Sequence, residues 1–83
     1  MEDWIVTKTV MKKSFVLNDF KSVIAFVQLI AFEAESMNHH PVIRILYNKI
    51  DIELSTHDAG NIVTEKDKTL ADKIDNIYQH HFN

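Results

Sequence analysis

Residues 19–37 of this 83-residue chain, which decide its fold, are D-F-K-S-V-I-A-F-V-Q-L-I-A-F-E-A-E-S-M. Their apolar residues recur every three or four positions, which is the spacing of one face of an α-helix. Asn18 is the predicted N-cap, and the carboxylate of Asp19 suits the positive end of the helix dipole. The predicted buried stripe consists of Phe20, Val23, Ile24, Val27, Ile30, Ala31 and Ala34, widened by Phe26.

Two large apolar side chains, Leu29 and Phe32, lie on the opposite side of this predicted helix. Scattered exposed apolar residues are common on soluble proteins. The alternative is burial against a second subunit. We favour this alternative, because a domain this small gains stability from additional burial.

Four strands are predicted, two before the helix and two after it, over residues 4–7, 10–17, 43–47 and 50–56. Lys8-Thr9 and Asn48-Lys49 are the predicted turns within the two pairs. Within 50–56, apolar and polar residues alternate, as in a strand with one face in water.

A second helix is predicted over residues 65–80, where Thr64 and Asp67 resemble a capping box. The order strand, strand, helix, strand, strand, helix predicts an α+β fold in one domain, residues 1–83. A four-stranded antiparallel sheet would carry both helices on one face.

Composition narrows the class of protein. The chain has no cysteine, which excludes disulfides and thiolate zinc sites, and 46% hydrophobic residues, which is too many for a disordered chain. A net charge of −3 does not favour binding to nucleic acid. No apolar stretch is long enough for a membrane span, and the acidic start does not resemble a signal peptide. We therefore expect a cytoplasmic protein that forms a homo-oligomer.

Histidines mark the candidate site, because histidine can exchange a proton near neutral pH. His39 and His40 follow the first helix, and His57 follows the last strand. Glu35 precedes His39 by one helical turn, and Asp67 is placed to point inward from the second helix. Each also has a simpler explanation: a histidine that binds the last helix carbonyls, a capping aspartate, or a solvated glutamate.

Other chemistries have weaker support. Three histidines and a glutamate could hold zinc, but their spacing is not that of a helical zinc motif, so no metal is predicted. A single glycine leaves no phosphate-binding loop, and no nucleophilic serine motif is present.

The set of residues resembles the pterin-4a-carbinolamine dehydratase family. E-S-M-N-H-H-P at 35–41, Y-N-K-I at 47–50, L-S-T-H-D at 54–58 and E-K-D at 65–67 match its motif in identity and spacing. Trp4 and F-V-L-N-D-F at 15–20 also fit. The resemblance extends from about Trp4 to Ile77, nearly the whole chain.

The resemblance implies an activity without metal or other cofactor. The family removes water from 4a-hydroxytetrahydropterin to give quinonoid dihydropterin, which is recycled after aromatic amino acid hydroxylation. His39 and His57 would be the acid catalysts, and His40 would bind the pterin and assist proton transfer. Glu35, Asn38, Pro41 and Asp67 would form the rest of the substrate site. The family also implies dimers or tetramers.

Two departures from the family pattern stand out. The resemblance leads us to expect that the helix which usually precedes the first strand is absent. Ile43 and Ile45 occupy positions where the family usually has an aromatic residue and an asparagine. Loss of the aromatic residue could weaken stacking on the pterin or alter a subunit contact.

Two other functions remain as alternatives. One is a protein-binding module, since some family members resemble dimerisation cofactors of a homeodomain transcription factor. The other is an accessory role in a further pterin pathway, such as molybdopterin metabolism.

Overall fold

A computed structural model describes residues 3–82 of the chain. The predicted single domain, residues 1–83, extends beyond these described residues at both ends. The elements are strands β1 (Ile5–Val6) and β2 (Met11–Val16), helix α1 (Phe20–Met37), strands β3 (Val42–Leu46) and β4 (Lys49–Leu54), and helix α2 (Glu65–His81). None of the helices within residues 3–82 is long and apolar enough to cross a membrane.

The strands form one antiparallel sheet in the order β1-β2-β4-β3, which confirms the predicted α+β class. Alternation along β4 buries Ile50, Ile52 and Leu54 on one face. Phe15 of β2 is paired with Ile50, and its ring contacts Phe26 of α1 and Tyr78 of α2. Both helices therefore pack on the same face of the sheet.

The first strand is held to the second helix by a small polar cluster. Trp4 donates its indole N–H to Asp75 Oδ2 at 2.9 Å, and Lys13 Nζ binds Asp75 Oδ1 at 2.7 Å. The Lys13 ammonium also lies 4.7 Å from the centre of the Phe15 ring, a cation–π arrangement. Because β1 has only two residues, these contacts tie the edge of the sheet to α2.

The buried face of α1 differs in part from the predicted stripe. Val23, Phe26, Ile30 and Ala34 are buried, whereas Phe20 and Ile24 are 50% and 38% exposed and Ala31 is also exposed. The helix is rotated so that Phe26 packs among the rings of Phe15, Tyr78 and Phe82. Leu29 is half-buried, and Phe32, as predicted, is exposed at 73%.

One turn and one N-cap lie one residue away from their predicted positions. The β3–β4 turn is Tyr47-Asn48 rather than Asn48-Lys49, and Tyr47 has a positive φ of 53°. The N-cap of α1 is Asp19 rather than Asn18: its Oδ1 accepts the Ser22 backbone N–H at 2.8 Å. The predicted capping box at Thr64 and Asp67 is confirmed.

The N-cap predicts a pH-dependent contribution to stability. Hydrogen bonds from the side chain and the backbone N–H of Ser22 hold the pKa of the Asp19 carboxyl below its ordinary value of 3.8. A carboxyl whose pKa is lowered by folding stabilises the protein above its unfolded pKa, and that stabilisation is lost as pH falls through the folded pKa. We expect Asp19→Ala to lower the urea midpoint at pH 7.

The same substitution should have a smaller effect at pH 3, because the stabilisation is lost progressively as pH falls below the ordinary pKa of 3.8. Asn18→Ala is the matched control, and its effect should not change between the two pH values. An Asp19→Ala effect that is equal at pH 7 and pH 3 would contradict the capping role.

Candidate active site

Antiparallel pairing brings the candidate residues together. Val42, the first residue of β3, is paired with Glu53 near the end of β4. The residues that precede β3 and those that follow β4 therefore lie side by side. His40 belongs to the first group and His57 to the second, so two histidines far apart in sequence meet at one edge of the fold.

A buried carboxylate connects the elements beneath this edge. Asp67 has no exposed surface, and its Oδ1 lies 2.6 Å from Nε2 of His39. Its Oδ2 accepts the Thr56 hydroxyl at 2.8 Å and the Thr64 backbone N–H at 2.9 Å. These bonds join the start of α2 to the segments after α1 and after β4. The first turn of a helix is also a favourable place for a carboxylate.

The hydrogen atoms of this network can be assigned by elimination. Thr56 donates its one hydroxyl proton to Asp67, so at 2.5 Å its oxygen accepts from the Thr64 hydroxyl. A carboxylate only accepts, so the proton of this hydrogen bond is on Nε2 of His39. The ring nitrogen that does not contact Asp67 is Nδ1. Nδ1 has no hydrogen-bond partner among residues 3–82. The His39 side chain is 8% exposed.

His40 and His57 border a cleft of about 240 Å³. The cleft is lined by Val10, His40, Val42, Glu53, Leu54, Ser55, His57 and Asn61. A space of this size suits a small flat ring rather than a large ligand. Larger cavities exist, including one of about 530 Å³ on the outer face of the sheet, but no histidine borders that one.

Each cleft histidine has one nitrogen held by a neighbour. His40 Nε2 donates to Glu35 Oε1 at 2.7 Å, and His57 Nδ1 donates to the amide oxygen of Asn61 at 3.0 Å. The other nitrogen of each ring, Nδ1 of His40 and Nε2 of His57, is then the one available to a ligand. Both histidines are exposed, so a ligand can reach them.

The loop after β4 has a conformation that only certain residues adopt easily. His57–Ala59 forms a short 3-10 turn, followed by Gly60 at φ 90° and Asn61 at φ 60°. Glycine and asparagine tolerate this left-handed region better than other residues. The two consecutive positive φ values turn the chain back, so that the Asn61 amide reaches His57.

Not all predicted site residues border the cleft. Asp67, which is predicted to line the site, is fully buried and is not among the residues that border the cleft. Asn38 instead ends α1 in the left-handed conformation, with φ 50°, and its N–H binds Ala34 and Glu35 carbonyls. Pro41 is half-buried between His40 and β3. Glu35 is exposed and contacts His40.

Sequence reasoning missed two threonine contacts and a serine. Thr56 continues the buried alternation of Ile52 and Leu54, so the period of β4 could have placed its hydroxyl inside. Thr64 was assigned only as a cap, and its bond to Thr56 depends on the tertiary fold. Ser55 lies next to Thr56 and borders the cleft, a position that the alternation also indicates.

A metal ion has no preformed site within residues 3–82, because no three His, Asp or Glu side chains there are close enough together to hold one. The three histidines are divided between the buried pair with Asp67 and the cleft. The arrangement can bind a small ring and exchange protons with it.

Comparison with known proteins identifies the family. The family model described as Pterin 4 alpha carbinolamine dehydratase matches residues 1–77. The chain belongs to this dehydratase family.

Two relatives carry the same family name. A Sulfurisphaera tokodaii protein, provisionally named a pterin-4-alpha-carbinolamine dehydratase, is 44% identical over 77 residues, which cover 93% of this chain and 82% of that protein. A Herpetosiphon aurantiacus protein with the same provisional name is 51% identical over 75 residues, which cover 90% of this chain and 77% of that protein.

Two solved structures share the fold. A Brucella melitensis crystal structure, described as a transcriptional coactivator/pterin dehydratase, has a TM-score of 0.87 and 33% identity, covering 93% of this chain and 83% of that one. A pterin dehydratase-like protein described as a RuBisCO assembly factor in the alpha-carboxysome has a TM-score of 0.75. At 22% identity, over 92% of this chain and 89% of that one, this second likeness concerns the fold alone.

The buried network predicts a large loss of stability when Asp67 is removed. Asp67→Ala leaves the Nε2–H of His39, the Thr56 hydroxyl and the Thr64 N–H without their acceptor, and each unsatisfied buried donor costs about 1–3 kcal/mol. Asp67→Asn keeps the shape but loses the charge, so we expect an intermediate loss. Urea unfolding at one fixed protein concentration measures both.

Asp72→Ala is the matched control, because Asp72 lies on the same helix and is exposed. Its effect should stay within about 0.5 kcal/mol. Equal effects of Asp67→Ala and Asp72→Ala on the free energy of unfolding would contradict the proposed importance of the buried carboxylate.

Proposed function

We propose that this protein dehydrates 4a-hydroxytetrahydropterins to quinonoid dihydropterins by histidine acid/base catalysis, in tetrahydropterin recycling. The observation that supports this most directly is the cleft, which has a histidine on each side and a third histidine held by a buried aspartate beside it. Family membership gives the reaction class, and the cleft provides groups suited to it.

The reaction needs two proton transfers. The C4a–O bond breaks, and the departing hydroxyl must receive a proton, because hydroxide is a poor leaving group. The N5–H proton is lost, and its electron pair forms the C4a–N5 double bond. One proton is supplied and one is removed, so no oxidant or reductant is required. A positioned side chain with a pKa near the working pH contributes about 10²–10⁴-fold to each such transfer.

The geometry suggests how the three histidines share this work. We assign His39 and His57 as the proton-transfer residues, and His40 as a pterin-binding residue that assists them. Asp67 holds the His39 ring through Nε2, so Nδ1 is the nitrogen left to exchange a proton. Asn61 leaves Nε2 of His57 free, and Glu35 leaves Nδ1 of His40 free.

Buried and exposed members of the site have different tasks. Asp67 touches no solvent and acts through His39, so it is a positioning residue. Glu35 is 77% exposed and orients His40 from outside. Asn38 and Pro41, at the end of α1, determine the path of the backbone that carries His39 and His40 into place.

Removing a cleft histidine should reduce turnover with little effect on folding. We expect His57→Ala and His40→Ala each to lower kcat/KM for a 4a-hydroxytetrahydropterin by about 10²–10⁴-fold. Because both side chains are exposed, the urea midpoint should change little.

His80→Ala is the control for these variants, since His80 is exposed at the other end of α2 and binds the Asn76 carbonyl. It should retain wild-type kcat/KM. Undiminished turnover in both His40→Ala and His57→Ala would overturn the proposed function.

We also propose that the protein self-associates through the outer side of α1. Phe20, Ile24 and Phe32 are spaced by multiples of four residues and form an exposed apolar row. Together with the small size of the core, this row favours a helix-packed interface between copies.

Light scattering tests this surface. Phe32→Glu places a charge in the row and should lower the average mass relative to the wild-type oligomer at micromolar concentration. Ile5→Glu, at an equally exposed apolar residue on the outer face of the sheet, should leave the mass unchanged. A monomeric wild-type protein would contradict self-association.

A further inference from the structure

A second cavity lies directly beside the histidine cleft, on the face of the sheet that the helices leave uncovered. Its volume is about 530 Å³, and its polar border includes Lys12, Ser14, Arg44, Asp51 and Glu53. We call this cavity the outer groove. Glu53 also borders the cleft of His40 and His57. Because the two cavities share Glu53, a ligand in the cleft can extend into the outer groove.

The strand register gives the direction of this path. Glu53 is paired with Val42 on one side and with Lys12 on the other, so these three residues form the row of the outer face nearest the cleft. The next row along the strands consists of Arg44, Asp51 and Ser14. Two residues along a strand span about 6.6 Å, so an extended substituent of that length reaches the second row from the cleft.

The two carboxylates in these rows already have partners. Glu53 accepts a hydrogen bond from Arg44. Asp51 accepts the Ser14 hydroxyl at 2.5 Å, and its Oδ1 lies 3.8 Å from Nζ of Lys49. An additional anion in the outer groove therefore does not face two uncompensated carboxylates.

The two cations in these rows retain donors for a ligand. Lys12 is exposed, and within residues 3–82 it forms no hydrogen bond or salt bridge. Arg44 binds Glu53 through Nη1, is 60% exposed and has further N–H donors. Asp3, which also borders the outer groove, precedes β1 at the opposite edge of the sheet from Arg44. The groove next to the cleft therefore favours an anionic group near Lys12 and Arg44.

We propose that the outer groove binds the C6 substituent of the pterin, and that Lys12 and Arg44 select substituents that end in an anionic group such as a carboxylate. This inference rests on the proposed dehydratase function. C6 is bonded to N5, one of the reacting atoms, so its substituent leaves the ring beside the histidines. The cleft of about 240 Å³ suits a small ring, so a long substituent lies outside it.

The selection acts on binding and not on the bonds that change. Lys12 and Arg44 lie on the sheet, outside the cleft in which proton transfer is proposed, so they affect KM rather than kcat. Contacts between exposed charges are modest in strength and are weakened by salt.

Two matched ligands test the proposal on the full chain. One is a 7,8-dihydropterin that carries p-aminobenzoate on its C6 methylene, and the other is the carboxamide of the same compound, which differs only in lacking the charge. Calorimetry at low ionic strength should show that wild-type protein binds the carboxylate about fivefold more tightly than the carboxamide. This preference should decrease as salt is added. Lys12→Gln should reduce it to about twofold or less.

Lys21→Gln is the matched control, because it makes the same change in net charge at an exposed residue of α1. It should retain the wild-type preference. A third ligand, 6-methyl-7,8-dihydropterin, measures binding of the ring alone, and Lys12→Gln should bind it as tightly as wild-type protein does.

Three results would overturn the role of the outer groove: equal wild-type affinities for the carboxylate and the carboxamide, a full preference in Lys12→Gln, or weaker binding of the 6-methyl ligand by that variant. The proposed function is tested separately. A wild-type protein that binds the 6-methyl ligand but does not dehydrate a 4a-hydroxytetrahydropterin overturns the proposed function instead.

Discussion

The structure depends on one buried carboxylate. Asp67 accepts hydrogen bonds from His39, Thr56 and the Thr64 backbone, and these donors come from three separate segments of the chain. An unpaired buried carboxylate would be very unfavourable, so the three segments must converge for the fold to form with Asp67 inside. The requirement that stabilises the fold thus also determines where the residues next to those donors lie.

The candidate site follows from that convergence. His40 is the neighbour of His39, and His57 is the neighbour of Thr56, so holding one member of each pair to Asp67 places the other at the surface. Pairing of Val42 with Glu53 brings the same two segments together through the sheet. Two independent constraints therefore determine the separation of the cleft histidines. The side chains of His40 and His57 are exposed. Their positions are nevertheless well defined, because the backbone that carries them is fixed by the hydrogen bonds of Asp67 and by strand pairing.

The fold class, the element order and the capping box were predictable because they depend on local patterns. Alternation in β4 and the Thr64–Asp67 spacing can be recognised without tertiary information. The rotation of α1 was not predictable in detail, because Phe20 and Phe26 are equally apolar and only the rings of Phe15 and Tyr78 decide which is buried. Similarly, the sequence motif grouped the candidate site residues, but it could not separate a buried residue such as Asp67 from the histidines that border the cleft.

Ile43 occupies a position where the family usually has an aromatic residue, and its place in the sheet shows what this difference affects. Ile43 is paired with Ile52, is half-buried, and packs against the core beneath the helices. Its side chain lies on the opposite face of the sheet from its neighbour Val42, and Val42 is the β3 residue that borders the cleft. Ile45 shares the helix-covered face and is 39% exposed on the edge strand. An aromatic residue at position 43 would therefore change the packing of the core and of the strand edge. The residues that border the cleft are instead Val42, His40 and the chain after β4.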